Sequence, residues 1–416
     1  FFKQKTAYEI STRDWSSDVC SSDLGLLIST LSAYPACDSG WQEEADRRGD
    51  ILGEFHECAV PAFAIAALDR LYGSLYASYA HLSLTDAARP APHTWVGYQR
   101  GDVVAVLLFR VHFDRALVLT EMFSLDQSVT DAFCQALFAR YSGVSAVYFN
   151  AVALPQSLTG WPLQSYPFSE NFVIPLPEDV DQYLGRLGKS TRKTLRGYGN
   201  RLQRDFPNFV WEVRQAGQMR SDELRLLIKR LQHFKQASMA ARGKRAELSR
   251  RDLARMMLLC RASGLVGVAR IGDQICGGSL ACRIGGNYVM LLSATAPALA
   301  SYRLGLLCCF WAVCDCIRAG GRECHPLWGR YQYKTQLLGE PHSLLRLTIY
   351  RSWSRMCMSP LMVCGMWLGA MRYRMRTWLL TQWSGQSITR FGWFSRLIDG
   401  WRSRAAKDLQ DESPTR

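Results

Sequence analysis

The sequence predicts a mixed α/β chain of two similarly ordered halves, each built on a central sheet, followed by a basic helical tail. Three observations predict this. Short runs of β-branched and aromatic residues, closed by Gly, Asp and Pro turns, alternate with longer segments of helical period. The order hairpin, strand, helix, strand occurs twice, over residues 94–176 and again over 265–351. The chain has 416 residues, 48% of them hydrophobic and 21% charged, which suffices for more than one buried core and excludes wholesale disorder.

Residues 1–24, FFKQKTAYEISTRDWSSDVCSSDL, show no hydrophobic period, no basic start with an apolar core, and no acid-poor targeting composition. They resemble the conceptual translation of sequencing-adapter sequence, and the fold is read from Gly25. The first half covers 25–178. From 41 to 84 the pattern is mainly helical, with Phe63, Leu68, Leu71, Leu75 and Tyr79 on one face. After Pro90 and Pro92, TWVGYQ and VVAVLLFRVHF form a hairpin through the turn Arg100, Gly101, Asp102, and ALVLTEMF is a third strand. Helical period returns from Val129 to Tyr141, and the strands VSAVYFN and NFVIPL close the half.

The second half, 207–352, repeats that order. LVGVARI and ICGGSLACRI form a hairpin at Gly272 and Asp273, and Gly285, Gly286 and Asn287 turn the chain into NYVMLLSAT. A long helix over 302–318 stops at Gly320 and Gly321. A short strand over 323–328, a short helix over 331–338 and the strand LLRLTIYR complete the half.

The halves are joined at 179–206 by a linker helix. Leu184, Leu187, Thr191, Leu195, Tyr198 and Leu202 give it one apolar face, with Gly197 and Gly199 as the points where it would bend. The other face carries Arg186, Lys189, Arg192, Lys193, Arg196, Arg201 and Arg204, with no Glu interleaved to pair with them. Such a face either binds phosphate groups or is simply solvated.

Overall, 50 Lys and Arg against 36 Asp and Glu leave a formal charge of +14, which points to an anionic partner without choosing among nucleotide, nucleic acid and membrane. Fourteen cysteines in a long chain without an export signal fit a reducing cytoplasm. Cys308, Cys309, Cys314, Cys316 and Cys324 sit among Leu, Phe, Trp and Val and lack paired C-x-x-C knuckles, so they read as small core residues and no metal is expected. In the tail, 353–416, the uncharged run MCMSPLMVCGMWLGAM is too short and too broken for a span of about 20 residues. Beyond it Arg372, Arg374, Arg376, Arg390 and Arg396 interleave with Trp378, Trp383, Phe391 and Trp393. That mixture suits an anionic membrane surface, packing against the preceding domain, or stacking on single-stranded RNA.

The blocks LGKSTRKTLRGYGNRLQRDFPN, LVGVARIGDQICGGSLACRIGGNYVMLLSAT and SYRLGLLCCFWAVCDCIRAGGRECHPLWGRYQYKTQLLG carry a family resemblance. Together they resemble the GNAT-superfamily acetyltransferases associated with bacterial cellulose and exopolysaccharide biosynthesis, which are related to the Fem-type aminoacyl transferases of cell-wall synthesis. The resemblance covers the second half well; for the first half only the order of elements matches. It implies tandem GNAT-like domains and a cytoplasmic enzyme, peripheral to the inner membrane if the tail binds there. The implied reaction moves an acetyl or other acyl group from acyl-CoA to an amine or hydroxyl of a sugar or polysaccharide precursor. An aminoacyl-tRNA donor and a non-catalytic scaffold remain the alternatives.

The resemblance also assigns residues. The donor pyrophosphate would meet the start of the long helix at Arg303, Leu304, Gly305 and Leu306, where unpaired N–H groups and the helix dipole favour anions, with Arg192 and Lys193 as further phosphate contacts. The superfamily's glycine pattern is incomplete, because the position two beyond Gly305 is Leu307, and this leaves room for a tRNA donor. Lys334 would face donor phosphate or the reacting carbonyl, Tyr333 would return a proton to the leaving thiolate, and Trp328 and Arg330 would line the acceptor side. No Ser, His and Asp arrangement with a nucleophile elbow is present, and direct transfer needs none.

Overall fold

The computed structural model describes residues 50–85, 89–240, 249–327, 329 and 331–384. Chain order begins β1 (Leu52–His56), α1 (Ala62–Tyr72), α2 (Tyr79–Thr85), β2 (His93–Gln99), β3 (Asp102–His112), β4 (Arg115–Val118) and β5 (Phe123–Ser124). It continues with α3 (Gln127–Arg140), β6 (Ala146–Ala153), β7 (Leu163–Pro175), α4 (Val180–Arg186), α5 (Lys189–Asp205), β8 (Phe209–Gln215), α6 (Ser221–Ala240) and α7 (Arg250–Ser263). Then come β9 (Gly264–Ile271), β10 (Gln274–Ile284), β11 (Asn287–Thr295), a 3-10 turn (Pro297–Tyr302), α8 (Leu304–Arg318), β12 (Glu323–Leu327), α9 (Gln332–Gln336) and β13 (Glu340–Tyr350). Two further helices are α10 (Trp353–Cys357) and α11 (Pro360–Ser384). The residues up to Pro360 form one unit and those from Leu361 a second.

The strands of the first unit form a single mixed sheet in the order β1-β2-β3-β4-β6-β13-β7-β12-β11-β10-β9-β8, with β5 beside β6. Both faces are covered. In β3, Leu107 and Phe109 pack with Phe133 and Leu137 of α3, while Val106 and Leu108 pack with Ala64 and Leu68 of α1. Double-sided burial explains why this strand reads as the unbroken apolar run VVAVLLF rather than as an alternation. In the second half α8, with Leu195 and Leu202 of α5, covers one face, and α6 and α7 cover the other. The helix α8 contributes Cys308, Cys309, Cys314 and Cys316 to the core, all buried.

The two halves exchange their last strands. β7 follows β6 in sequence but lies between β13 and β12, and β13, the last of the described strands, lies between β6 and β7. β7 and β13 run antiparallel from Glu340↔Val173 to Ile349↔Leu163. A second junction lies at the β10–β11 turn, where Asn287 Nδ2 donates to the carbonyl of Gly73 at 3.3 Å. Gly285 there has φ +57°, and a Cβ on it would stand 2.2 Å from the carbonyl oxygen of Asp69, so the close approach of α1 to this turn requires glycine.

Three local expectations are corrected. Residues 52–56, read as part of a helical stretch, form the edge strand β1 along β2 from Leu52↔Tyr98 to His56↔Thr94; the half-exposed LGEFH has no apolar period to mark it. ALVLTEMF divides into β4 and β5, because Thr120 Oγ1 takes the N–H of Leu108 and replaces a backbone partner. The linker breaks at Leu187, which is extended (φ −64°, ψ 139°), and α5 continues as helix through Gly197 and Gly199.

Candidate active site

β11 and β12 are parallel and paired only from Asn287↔Glu323 to Val289↔His325. β11 then continues to Thr295 with, among the described residues, no strand on its β12 side, while its other edge stays bonded to β10. A bulge helps part the strands: Leu280 pairs with Leu292 but Ala281 with Met290, leaving Leu291 as the extra residue. The result is a wedge between two splayed strands, opening toward the turn that precedes α8.

Arg303 ends that turn in the left-handed conformation (φ 48°, ψ 35°), and its carbonyl accepts the N–H groups of Leu306 at 2.9 Å and Leu307 at 3.2 Å. No side chain caps α8, and no acid lies in its first turn. The positive end of its dipole is therefore uncompensated. Leu304 is buried and Leu306 half-buried in the core, so their side chains offer an anion nothing, and the Leu306 N–H is already held by the Arg303 carbonyl. A Cβ on Gly305 would lie 3.6 Å from Thr295 Oγ1, which places the first turn of α8 against the open end of β11.

The basic helix α5 abuts this point. The Arg303 guanidinium lies 5.5 Å from the ring of Tyr198 on α5, and the Tyr302 hydroxyl donates to Asp205 Oδ2 at 3.0 Å. The exposed face of α5 forms a groove of about 510 Å³ lined by Lys189, Arg192, Lys193, Arg196, Gly197 and Asn200. Arg192 and Lys193 meet no carboxylate among the described residues.

Beyond the end of β12, α9 carries Lys334 and Tyr333. Lys334 is 1% exposed; its Nζ donates to the carbonyl of Leu327 at 2.7 Å and lies 4.8 Å from the ring centre of Phe172 on β7. Desolvation pushes its pKa down to about 8, against the pull of Cys309 and Glu170. Tyr333 packs against the core beneath α8, and burial raises its hydroxyl pKa well above the ordinary range, so it stays protonated. The Tyr183 hydroxyl, donating to the Leu337 carbonyl at 3.0 Å, ties α9 to α4. Arg303 thus meets α5 on its Tyr198 side, whereas Arg192 and Lys193 lie on that helix's opposite, exposed face, and Lys334 and Tyr333 lie beside Cys309 of α8. Trp328 and Arg330 lie outside the described residues.

Sequence reading missed a polar chain at the base of the wedge. His325, 7% exposed, has Nδ1 at 3.1 Å from Asn171 Nδ2 and Nε2 at 2.9 Å from Glu323 Oε2, and Asn287 Nδ2 donates to the same carboxylate at 3.0 Å. With the amide donating to Nδ1, the imidazole proton sits on Nε2 and points to Glu323. That hydrogen bond holds the Glu323 carboxyl below its usual range despite partial burial. Both ring nitrogens are engaged, so His325 braces the junction of β7 and β12. No sequence signal links Asn171 to His325, because only the strand exchange brings them together. Among the described residues no group of three or more His, Cys, Asp or Glu is placed to hold a metal ion.

The first half handles the equivalent region differently. β4 and β6 are parallel and paired from Arg115↔Ala146 to Val118↔Phe149, but the chain then returns to β6 through the Met122 N–H to Ala151 at 2.6 Å and β5. The following helix, α3, is capped by Asp126, whose carboxylate accepts the Val129 N–H at 2.8 Å. The gap is closed, and the helix end already holds an anion.

No curated protein matches the chain at a significant level. Similar solved structures include FemX, at 9% identity over 70% of this chain and 96% of that one, with a TM-score of 0.49. Another is a tandem GNAT protein from the clavulanic acid biosynthesis pathway, at 12% identity over 72% and 98%, with a TM-score of 0.36. A third is the C-terminal domain of a putative lysylphosphatidylglycerol synthetase from Agrobacterium fabrum, at 12% identity over 60% and 82%, with a TM-score of 0.39. Residues 189–335, from the first residue of α5 into α9, match the family model of the acetyltransferase (GNAT) domain, within a mixed α/β chain.

Proposed function

We propose that the protein is a cytoplasmic acyltransferase that moves an acetyl or other acyl group from acyl-CoA to an amine or hydroxyl of a sugar or polysaccharide precursor. One asymmetry supports this reading above the rest. Among the described residues, the second half leaves the β12 side of β11 without a strand beyond Val289 and leads β11 to a helix start with Arg303 and no capping carboxylate, whereas the first half closes its gap and caps α3 with Asp126. A polyanionic donor is attracted to one half and repelled from the other. The amides of a pantetheine arm have in β11 a free strand edge to pair with, and Arg192 and Lys193 offer charge-assisted contacts to phosphate.

In this reading the acceptor lone pair attacks the thioester carbon, negative charge gathers on the carbonyl oxygen, the sulfur leaves with the bonding pair, and the proton released by the acceptor passes through solvent to restore the one that Tyr333 gives up. Lys334 turns an N–H from the Leu327 carbonyl to the developing oxyanion, where a buried cation counts for more than it would in water. Tyr333, kept protonated by burial, gives its proton to the leaving thiolate. Trp328 and Arg330 are assigned to the acceptor. The saccharide acceptor follows from the resemblance to exopolysaccharide-associated enzymes.

A second reading, an aminoacyl-tRNA donor, is favoured by the extent of the basic face, since α5 has 17 residues and rises about 25 Å, enough to follow successive phosphates. Thermal unfolding of the whole chain with acetyl-CoA, desulfo-CoA, uncharged tRNA and charged tRNA separates the readings. A higher Tm with the CoA ligands alone supports the acyl-CoA enzyme. A rise with charged tRNA alone transfers the function to aminoacyl transfer, and no rise with any ligand makes the fold a non-catalytic scaffold.

A further inference from the structure

The second unit is described as far as Ser384, within α11. No Asp or Glu occurs between Pro360 and Ser384. Six large apolar side chains of this helix, Leu361, Trp367, Leu368, Met371, Met375 and Trp378, are between 43% and 88% exposed. At about 100° per residue they fall into one continuous arc of about 120°, in the angular order Leu361, Leu368, Met375, Met371, Trp378, Trp367. The exposed Arg372 and Arg374 each lie about 20° outside an edge of that arc, one on either side. The opposite face is apolar too, but it is buried at Met366 and Gly369 and half-buried at Met362, Ala370 and Tyr373. The helix therefore has two apolar faces, one packed and one exposed, which is why its sequence shows no single amphipathic period.

We infer that the exposed arc of α11 lies in the interface of an anionic lipid bilayer, with its apolar side chains at acyl-chain depth and Arg372 and Arg374 among the headgroup phosphates. Charge complementarity chooses this occupant. A stripe with two Trp, flanked on both sides by Arg and free of acids, matches a surface that is apolar below and anionic above. The stripe runs about 26 Å from Leu361 to Trp378, enough to seat the helix parallel to the surface. The helix is not read as crossing, because Arg372 and Arg374 flank the stripe on either side and among the described residues no helix is long and apolar enough to span a membrane. The inference concerns the second unit alone and stands whichever donor the first unit uses.

The test is co-sedimentation of the whole chain with phosphatidylglycerol-containing vesicles and with pure phosphatidylcholine vesicles. The chain is expected to pellet with the former and to be released by salt. Leu368→Ser combined with Met375→Ser should weaken pelleting by about tenfold or more, and Arg372→Glu combined with Arg374→Glu should remove the preference for anionic lipid. Both double variants should keep the parent's main unfolding transition, which separates a lost surface from a lost fold. Failure of the parent chain to pellet, or equal pelleting on phosphatidylcholine, overturns the inference. So does a vesicle-free dimer that Leu368→Ser with Met375→Ser splits, because a second copy would then own the stripe.

Discussion

Lys334 is the side chain at which the chemistry of the wedge is most exposed to test. Its ammonium is held below its ordinary 10.5, at about 8, because burial disfavours the charged form. Between those values the unfolded chain binds a proton that the native chain does not, so the sign of the linkage is fixed. The stability penalty of the buried cation is full below about pH 8 and is relieved as pH rises toward 10.5. Lys334→Met should flatten the rise in stability across that window, measured as denaturant midpoint against pH. If the same cation stabilises the oxyanion, turnover of acyl-CoA should fall as pH passes 8, and Lys334→Ala should lower it by about tenfold or more without unfolding the protein. Unchanged turnover in the alanine variant returns Lys334 to a role in holding the Leu327 carbonyl. At this scale the family resemblance names Arg303, Gly305 and Lys334 from blocks of a few residues, as candidates for these measurements. His325 was also legible beside Cys324, where a lone histidine reads as structural; its partner Asn171, 154 positions away, was not.

Two helix starts, at α3 and α8, make opposite predictions from one physical rule. An acid in the first turn of a helix stabilises it by about 0.3–1 kcal/mol through the dipole. Gly305→Asp places one in α8, where a Cβ meets only Thr295 Oγ1 at 3.6 Å. The variant should melt no lower than the parent and yet lose its stabilisation by acetyl-CoA. Asp126→Ala removes the cap of α3 and should cost about 1 kcal/mol while leaving that ligand response intact. A Gly305→Asp variant that still responds to acetyl-CoA would take the donor phosphates away from α8. On α5, Arg192→Glu with Lys193→Glu should weaken the donor and flatten the salt dependence of its binding, as expected if these side chains meet phosphate; equal affinity in that variant makes the face merely solvated. The hairpins at Gly101, Gly272 and Gly285 were legible because turn residues and flanking periods are local signals. The strand β1 and the break at Leu187 were not: one lacks a period, and the other is set by packing rather than by helix propensity, which would have chosen Gly197 or Gly199.

At the scale of the molecule, the sequence repeat suggests two domains meeting near residue 178, and the sheet answers with an exchange. The repeat is read from the order of elements, which says nothing about which strands pair across 180 or more positions, as Leu163 and Ile349 do. Through β13 the first half is completed by the last of the described strands, and through β7 the second half is completed by a strand that precedes its own first helix. A chain ending near residue 178 would leave the edge of β6 unpaired, and one starting there would leave β12 without its antiparallel partner. Exposed strand edges of that length aggregate or recruit other strands. Residues 50–178 and 179–360 expressed apart are therefore expected to be insoluble or unfolded, and together to recombine into a species that unfolds as one. In the whole chain, residues 50–360 should lose near-ultraviolet and far-ultraviolet dichroism in a single coincident transition with denaturant. Two resolved transitions, or a soluble and cooperative first half alone, would show that the exchange is a decoration on two self-sufficient domains. A single transition would instead mean that the first half, whose own wedge is closed and whose helix start is already capped, is retained because the strand beneath Lys334 and His325 comes from it.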